Sequence, residues 1–308
     1  MKNLIGSVAV GVGTGVPTAR AARGPSLVPW PAKVREFFPQ VLGTAVGCGL
    51  VIGSRVSGLR GAKALAAGVS VAGLGLAGFF VAKGKLGEIE AENSEIDACF
   101  ADPPSDMHLS GSPHSAVDYT LLGREGARFI NSVTTREHAQ QIGIKRTHDP
   151  IRVFVSVANA DSISSRVSLA MSELIRNKAF DREYLLIEAP AGSGYANSTP
   201  VDVLELLSGG DCATVSVSYG LLPSFLSLPK VRVAGQTQLE LHNAIDHELI
   251  GRRNKGKHVP KIILYGESLG ARIQQFAIPL GSSDLDKYSI FRALWVGTPG
   301  GRISDTFH

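Results

Sequence analysis

The sequence predicts an α/β domain with a mostly parallel sheet, preceded by an N-terminal transmembrane helical region. After Asp149-Pro150, short apolar runs alternate with amphipathic segments of helix length. Connections of that length pair strands in parallel, with right-handed crossovers. Before residue 90 the chain is rich in glycine and poor in charge. Composition therefore divides the chain into an apolar N-terminal third and an ordinary globular remainder.

Bulk composition narrows the function classes. The 308 residues are 44% hydrophobic and 19% charged, which is apolar for a wholly soluble protein. The net charge of +4 comes without a long basic run and with only 6% aromatic residues, so nucleic acid is not an expected partner. Three cysteines without C-x-x-C spacing favour reduced thiols over a Cys99–Cys212 disulfide. No cofactor and no metal are predicted.

Residues 1–85 are predicted to form a membrane region of two or three apolar helices. The stretch 4–16 is short for a span, whereas Val41–Val56 and the charge-free nineteen residues Ala64–Ala82 are the stronger candidates. Small residues recur four apart in both, which gives a face for helix–helix association. A buried helical hairpin is the alternative. We expect an integral protein of the cell membrane bound to the lipid bilayer. Because Lys and Arg flank both sides of the spans, the positive charges do not decide which side of the membrane the α/β domain faces.

The remainder is predicted as a polar, acidic linker over residues 86–114 and an α/β domain over 115–308. Apolar runs give the strands and amphipathic stripes give the helices. The predicted strands are Ile151–Val157, Tyr184–Ala189, Ala213–Tyr219, Ile262–Tyr265 and Ala293–Val296. The predicted helices are Ser162–Lys178, Pro200–Leu207, 231–250 and Ala271–Ile278.

The stretch Lys261–Gly270 predicts a catalytic nucleophile. An apolar strand runs into Gly-Glu-Ser-Leu-Gly, a G-x-S-x-G pattern, and a helix-compatible segment follows. Small residues two before and two after Ser268 permit a sharp strand-to-helix turn that exposes the serine Oγ. The N–H of Leu269 would then lie at a helix N-terminus, where it can stabilise an oxyanion. A simple Gly/Ser-rich turn is the alternative.

A second loop is expected to supply the other oxyanion donor. It follows the strand Tyr184–Ala189, and ligands collect beyond the carboxyl ends of parallel strands. Its candidate backbone donors are Ala191, Gly192, Ser193 and Gly194. A plain glycine-serine turn is again the alternative.

Several stretches, taken together, resemble the actinobacterial membrane proteins with an α/β-hydrolase domain. They are residues 24–29, 122–129, 179–182, 191–195, 208–215, 219–227, 266–270 and 293–300. The resemblance implies an α/β-hydrolase-like sheet behind N-terminal spans. It also implies a serine hydrolase of the esterase or lipase-like type, with Ser268 as nucleophile and an ester or lipid as substrate.

The chain departs from this family after the nucleophile. α/β-Hydrolases present Ser, then Asp or Glu, then His, and after Ser268 the best acid and base that the sequence offers are Asp305 and His308. The sheet is therefore expected to be incomplete at its C-terminal end and the domain truncated, or completed by a second chain. The upstream histidines His242, His247 and His258 are interpreted as surface residues.

Two functions follow from the sequence. The first is a membrane-anchored serine hydrolase acting on lipid or acyl esters, which would be nearly inactive as this chain alone because an unassisted serine is a weak nucleophile. The second is a non-catalytic membrane-anchored protein, or an inactive fragment, that keeps the hydrolase shell for interaction.

Overall fold

The computed structural model describes residues 84, 87–222, 227, 230–278 and 287–299. Apart from Gly84 and Gly87, these residues belong to one compact unit, Glu88–His308. The predicted spans Val41–Val56 and Ala64–Ala82 lie outside the described residues, as do Asp305 and His308. Within the described part of the chain, no helix combines the length and the apolar character that crossing a membrane requires.

Among the residues that the structure describes, five strands form one parallel sheet in the spatial order β1-β3-β2-β4-β5. The strands are β1 (Ile151–Val155), β2 (Tyr184–Ala189), β3 (Cys212–Val217), β4 (Lys261–Glu267) and β5 (Ile290–Val296). The prediction of an α/β domain with a parallel sheet is confirmed. Strands β1 and β3 are buried along their whole length, as expected of strands covered on both faces.

Helices connect and cover the strands. They are α1 (Gly123–Asn131), α2 (Arg136–Gln141), α3 (Ile163–Arg176), α4 (Ser198–Leu207), α5 (Val231–Asn254) and α6 (Leu269–Ala277). Short 3₁₀ turns occur at Ala98–Phe100, Tyr119–Leu121 and Ala179–Asp181. Helix α3 begins where the Ser162 side chain accepts the N–H of Ser165, and this cap satisfies a donor that the first turn cannot pair.

The two edges of the described sheet differ. A parallel bridge between Leu109 and Arg152 covers the β1 edge. Strand β5 forms the other edge, and its Phe291 and Leu294 are exposed. It begins at Ile290, three residues before the predicted start at Ala293.

Residues 108–112, within the stretch 86–114 that the sequence predicts as a polar linker, pack against β1. The N–H of Ser110 donates to the carbonyl of Arg152 at 3.0 Å, and the N–H of Arg152 donates to the carbonyl of His108 at 3.2 Å. Leu109, Ser110 and Ser112 are buried. The Ser110 hydroxyl also accepts the N–H of Phe154. Polar residues enter the interior here because the neighbouring backbone satisfies their hydrogen bonds.

Strand β1 carries a fully buried arginine, Arg152. Its guanidinium binds the Glu205 carboxylate through two nitrogens, at 2.7 and 3.1 Å, and also pairs with Asp202. Its remaining donors reach the carbonyl of Phe129 at 2.7 Å and the hydroxyl of Ser132 at 2.8 Å. One side chain therefore ties β1 to α1 and α4, with its charge compensated inside the domain.

We expect Arg152→Ala to lower the free energy of unfolding by about 3–5 kcal/mol, because it leaves the Glu205 carboxylate buried without its partner. Urea denaturation followed by circular dichroism measures the effect. The control is Arg136→Ala, which removes a solvent-exposed ion pair with Asp149 and should change stability far less. Equal losses in the two variants would contradict the expectation.

Candidate active site

Ser268 lies at a sharp turn between β4 and α6. Its backbone has φ 52° and ψ −118°, and its side chain is exposed. A positive φ is costly for a residue with a Cβ and persists only where the surroundings impose it. Here the Ser268 N–H donates to the carbonyl of Val296 on β5 at 2.8 Å. The turn therefore has the strained strand-to-helix geometry that the G-x-S-x-G pattern predicts.

The two glycines of the pattern permit close backbone approaches. A Cβ on Gly266 would lie 2.7 Å from the backbone nitrogen of Ala271. A Cβ on Gly270 would overlap the carbonyl oxygen of Ala189, at the end of β2. Both positions exclude side chains for steric reasons, which explains why the small residues stand two before and two after the serine.

The loop after β2 faces the turn. Within it, the N–H of Ala191 donates to the carbonyl of Tyr195 at 2.8 Å, and the N–H of Gly194 donates to the carbonyl of Ala191 at 3.0 Å. The backbone donors of Gly192 and Ser193 have no acceptor among the described residues. Of the four predicted donors, these two are therefore the ones whose N–H the loop itself does not use.

A cleft of about 330 Å³ opens beside Ser268. The lining residues are Glu125, Glu188, Ala189, Ala191, Ser193, Tyr195, Asn197, Glu267 and Ser268. The structure thus brings Ser268 together with Ala191 and Ser193, as the sequence predicts. Leu269 is the first residue of α6, and a first-turn N–H has no acceptor within its own helix.

The comparisons with known proteins agree with this geometry. A family model described as "Alpha/beta-hydrolase family" matches residues 151–305, half of the chain, from β1 through the Ser268 turn and beyond β5. The chain belongs to this family. Membership of the α/β-hydrolase family supports a hydrolase-like function. No curated protein and no solved structure matches the chain.

Three further side chains belong to this α/β-hydrolase site and were not predicted from the sequence: Glu188, Asn197 and Glu267. Glu188 on β2 is 1% exposed, and its Oε1 accepts the N–H of Asn197 at 2.6 Å. The Asn197 Nδ2 donates to Glu267 Oε2 at 2.7 Å, and Glu267 directly precedes Ser268. Glu188 stands opposite Tyr265 in the β2–β4 register, and only this long-range pairing brings the three together.

Electrostatics in the cleft are dominated by carboxyl groups. Burial raises the pKa of Glu188 to about 8, so this side chain is largely neutral at pH 7. Glu125 is paired with Arg128 at 2.9 Å, and the Arg128 guanidinium also lies 4.5 Å from the Tyr195 ring centre. The described residues that line the cleft include three glutamates and no histidine.

The histidines of α5 and the segment after it lie apart from this cleft. His247 and His258 are exposed, as predicted, but the surface interpretation of His242 is wrong. His242 is buried, its ring lies 5.8 Å from that of Tyr288, and burial lowers its pKa to about 4. Because histidine is polar, the sequence pattern of α5 did not place His242 among the buried residues of that helix.

We expect Glu188→Gln to stabilise this α/β-hydrolase above neutral pH. The unfolded chain ionises Glu188 near pH 4.5, whereas the folded protein holds the proton until about pH 8. Folding stability therefore falls as pH rises through this window, and the glutamine side chain of the variant, which cannot ionise, avoids the loss. The two proteins should be equally stable near pH 4 and differ at pH 8 by on the order of 2–4 kcal/mol.

Urea denaturation at both pH values measures this difference. The titration of His242 occurs in both proteins, so it cancels in the comparison. Equal stability of the two proteins at pH 8 would contradict the assignment of a neutral Glu188.

Proposed function

We propose that the chain is a serine hydrolase of ester bonds in lipid or acyl esters, with the Ser268 Oγ as nucleophile. The observation that carries the proposal is the exposed serine held at positive φ between β4 and α6, at the mouth of a cleft. Strain of this kind marks functional turns, because an ordinary turn would relax it.

The proposed reaction has two halves. The Ser268 Oγ attacks the ester carbonyl carbon while its proton passes to a base, and the carbonyl oxygen becomes an oxyanion. The Leu269 N–H, together with that of Gly192 or Ser193, stabilises this oxyanion. Collapse of the intermediate expels the alcohol, which takes up the proton, and leaves an acyl-serine. Water then attacks the acyl carbon while one of its protons passes to the base; the bond from that carbon to Oγ breaks, Oγ takes up the proton, and the acid is released.

The acid and base of the reaction are assigned from chain order alone. Asp305 and His308 are the candidates, and both lie outside the described residues. A second chain that supplies the base is the other candidate. Ser268 Oγ has no hydrogen-bond partner among the residues that the structure describes, so no described side chain is assigned the role of base.

A fluorophosphonate probe tests the proposed function. The probe forms a covalent bond to an activated serine, so it reports the nucleophile without requiring the natural substrate. The full-length protein is incubated with the probe for hours, digested, and analysed by mass spectrometry. An adduct on Ser268 supports the proposal. Its absence would favour the alternative of a non-catalytic interaction module or an inactive fragment.

We further propose that the hydrolase is anchored in a membrane through Val41–Val56 and Ala64–Ala82. The support is the length of these stretches without charge, since a bilayer core is spanned by about 20 apolar helical residues. After alkaline carbonate extraction of membranes, we expect the full-length chain in the pellet. Recovery of the intact chain in the supernatant would contradict the anchoring.

A further inference from the structure

Glu188 and Asn197 both line the cleft and connect β2, the N-terminus of α4 and the end of β4. Asn197 lies at the N-terminus of α4, where its Oδ1 accepts the N–H of Thr199 at 3.0 Å. Its backbone N–H is held by Glu188, and its Nδ2 holds Glu267. Asn197 thus uses its backbone donor, its side-chain donor and its side-chain acceptor at once, so its position is fixed from three directions.

We propose that Glu188 and Asn197 are positioning residues for Ser268: Glu188 fixes Asn197, and Asn197 fixes Glu267, the residue directly before the serine. This inference rests on the proposed function, because it assigns how that nucleophile is held. Neither residue is required to touch the substrate. The unit joins β2, the N-terminus of α4 and the end of β4, which are the elements that must keep their spacing for the nucleophile and the oxyanion loop to face each other.

The charge state of Glu188 decides whether this unit holds. Glu188 Oε2 is buried and has no hydrogen-bond partner among the described residues. Burial is the main cause of its raised pKa and the Glu267 carboxylate on β4 adds to it, whereas the Asn197 N–H, Arg152 on β1 and Arg128 on α1 lower it. The Tyr265 hydroxyl on β4 also faces this group, and it donates to Glu267 Oε2 at 3.4 Å. Glu125 also lines the cleft. Ionisation of Glu188 would place a second negative charge beside Glu267, with one asparagine between the two carboxylates.

Ionisation of Glu188 should therefore lower the reactivity of Ser268 at alkaline pH. Above about pH 8, repulsion between the two carboxylates should displace Glu267 and loosen the turn. Trp295 offers a report that does not depend on activity. It pairs with Gly266 in the β4–β5 register, and its indole N–H donates to Gln274 of α6 at 2.9 Å. The chain has only one other tryptophan, Trp30.

The test compares pH profiles from pH 6 to 10 for the full-length protein and four variants. The first readout is the rate of fluorophosphonate labelling of Ser268. The second is Trp295 fluorescence, measured in a Trp30→Phe background. For the wild-type side chains, we expect labelling to fall and the fluorescence to change with a midpoint near pH 8. Glu188→Gln, which keeps an acceptor for Asn197 but cannot ionise, should remove both transitions.

The other variants separate positioning from a general effect of pH. Glu125→Gln removes a cleft carboxyl that does not contact Asn197 and should keep both transitions. Glu188→Ala and Asn197→Ala break the connection, so they should slow labelling at pH 7 by about 10- to 100-fold while circular dichroism shows a folded domain. Of the two substitutions of Glu188, only Glu188→Gln is expected to be labelled at pH 7 at the wild-type rate.

The outcomes distinguish this inference from the proposed function. If neither the wild-type protein nor any variant is labelled, but Trp295 fluorescence still shows a transition that Glu188→Gln removes, the positioning stands and the hydrolase proposal fails. If labelling occurs but its alkaline fall and the Trp295 transition both persist in Glu188→Gln, the positioning is overturned. Labelling of Asn197→Ala at the wild-type rate would overturn it as well.

Discussion

The Ser268→Ala variant is expected to form no adduct with a fluorophosphonate probe, whereas the wild-type protein forms one. The reason is direct: the adduct is a bond from phosphorus to the serine Oγ, and alanine has no oxygen. Even a slow wild-type reaction is sufficient, because the comparison is between an adduct and none. The wild-type chain alone is expected to hydrolyse a short-chain p-nitrophenyl ester only slowly, because an unassisted serine is a weak nucleophile, and the same variant should be slower still.

The control for this prediction is Ser193→Ala. Ser193 is the other serine that lines the cleft, and the substitution removes its hydroxyl but keeps its backbone N–H. The adduct should still form in this variant. Loss of the adduct in Ser193→Ala but not in Ser268→Ala would move the nucleophile to the loop after β2 and contradict the assignment.

Local sequence was sufficient to predict the turn at Ser268. Its geometry depends on Gly266 and Gly270, on the apolar run before them and on the helix after them, all within about one turn or strand of the serine. Short-range steric rules apply to such a segment whatever the rest of the fold does. The same reason explains the agreement of most strands and helices with their predicted positions.

Hydrogen bonds between residues far apart in the sequence could not be predicted from sequence patterns. Arg152 interrupts an apolar strand, and its partner Glu205 is 53 residues away. Glu267 reaches Asn197, the residue that Glu188 holds, only because β2 pairs with β4. The buried segment around Ser110 reads as a polar linker, because its burial depends on hydrogen bonds to β1. In each case a polar side chain is buried with a partner that no periodicity in the sequence identifies.

The base of the reaction is assigned from the family's residue order and not from local sequence or structure. Family order identified Asp305 and His308 as the candidates for acid and base, and these residues lie outside the described part of the chain. The geometry around Ser268 therefore supports the nucleophile and the oxyanion donors, while the proton acceptor stays a prediction from the sequence. The labelling experiments are informative at this point, because the rate of adduct formation depends on how strongly Ser268 is activated.

Among glycine-to-alanine substitutions near the site, Gly270→Ala is expected to destabilise the domain most. The new Cβ would overlap the Ala189 carbonyl oxygen, which belongs to the backbone of β2 and cannot rotate away. Relief requires α6 and the end of β2 to separate. Gln274 of α6 also donates to the Ile187 carbonyl on β2 at 2.8 Å, so the same movement strains a buried hydrogen bond. We expect a loss of about 3 kcal/mol or more in the free energy of unfolding.

A matched control lies in α5, where Gly251 has no atom within 4 Å of an added Cβ. Gly251→Ala should raise the free energy of unfolding by about 0.5–1 kcal/mol, because alanine favours the helix and restricts the unfolded chain. The two variants therefore add the same methyl group but change the free energy of unfolding in opposite directions. Urea denaturation compares them directly. Because the separation of β2 from α6 also moves the oxyanion loop away from Ser268, Gly270→Ala should slow probe labelling even at temperatures where the domain stays folded. Wild-type stability and labelling in Gly270→Ala would show that β2 and the Ser268 turn do not meet as described.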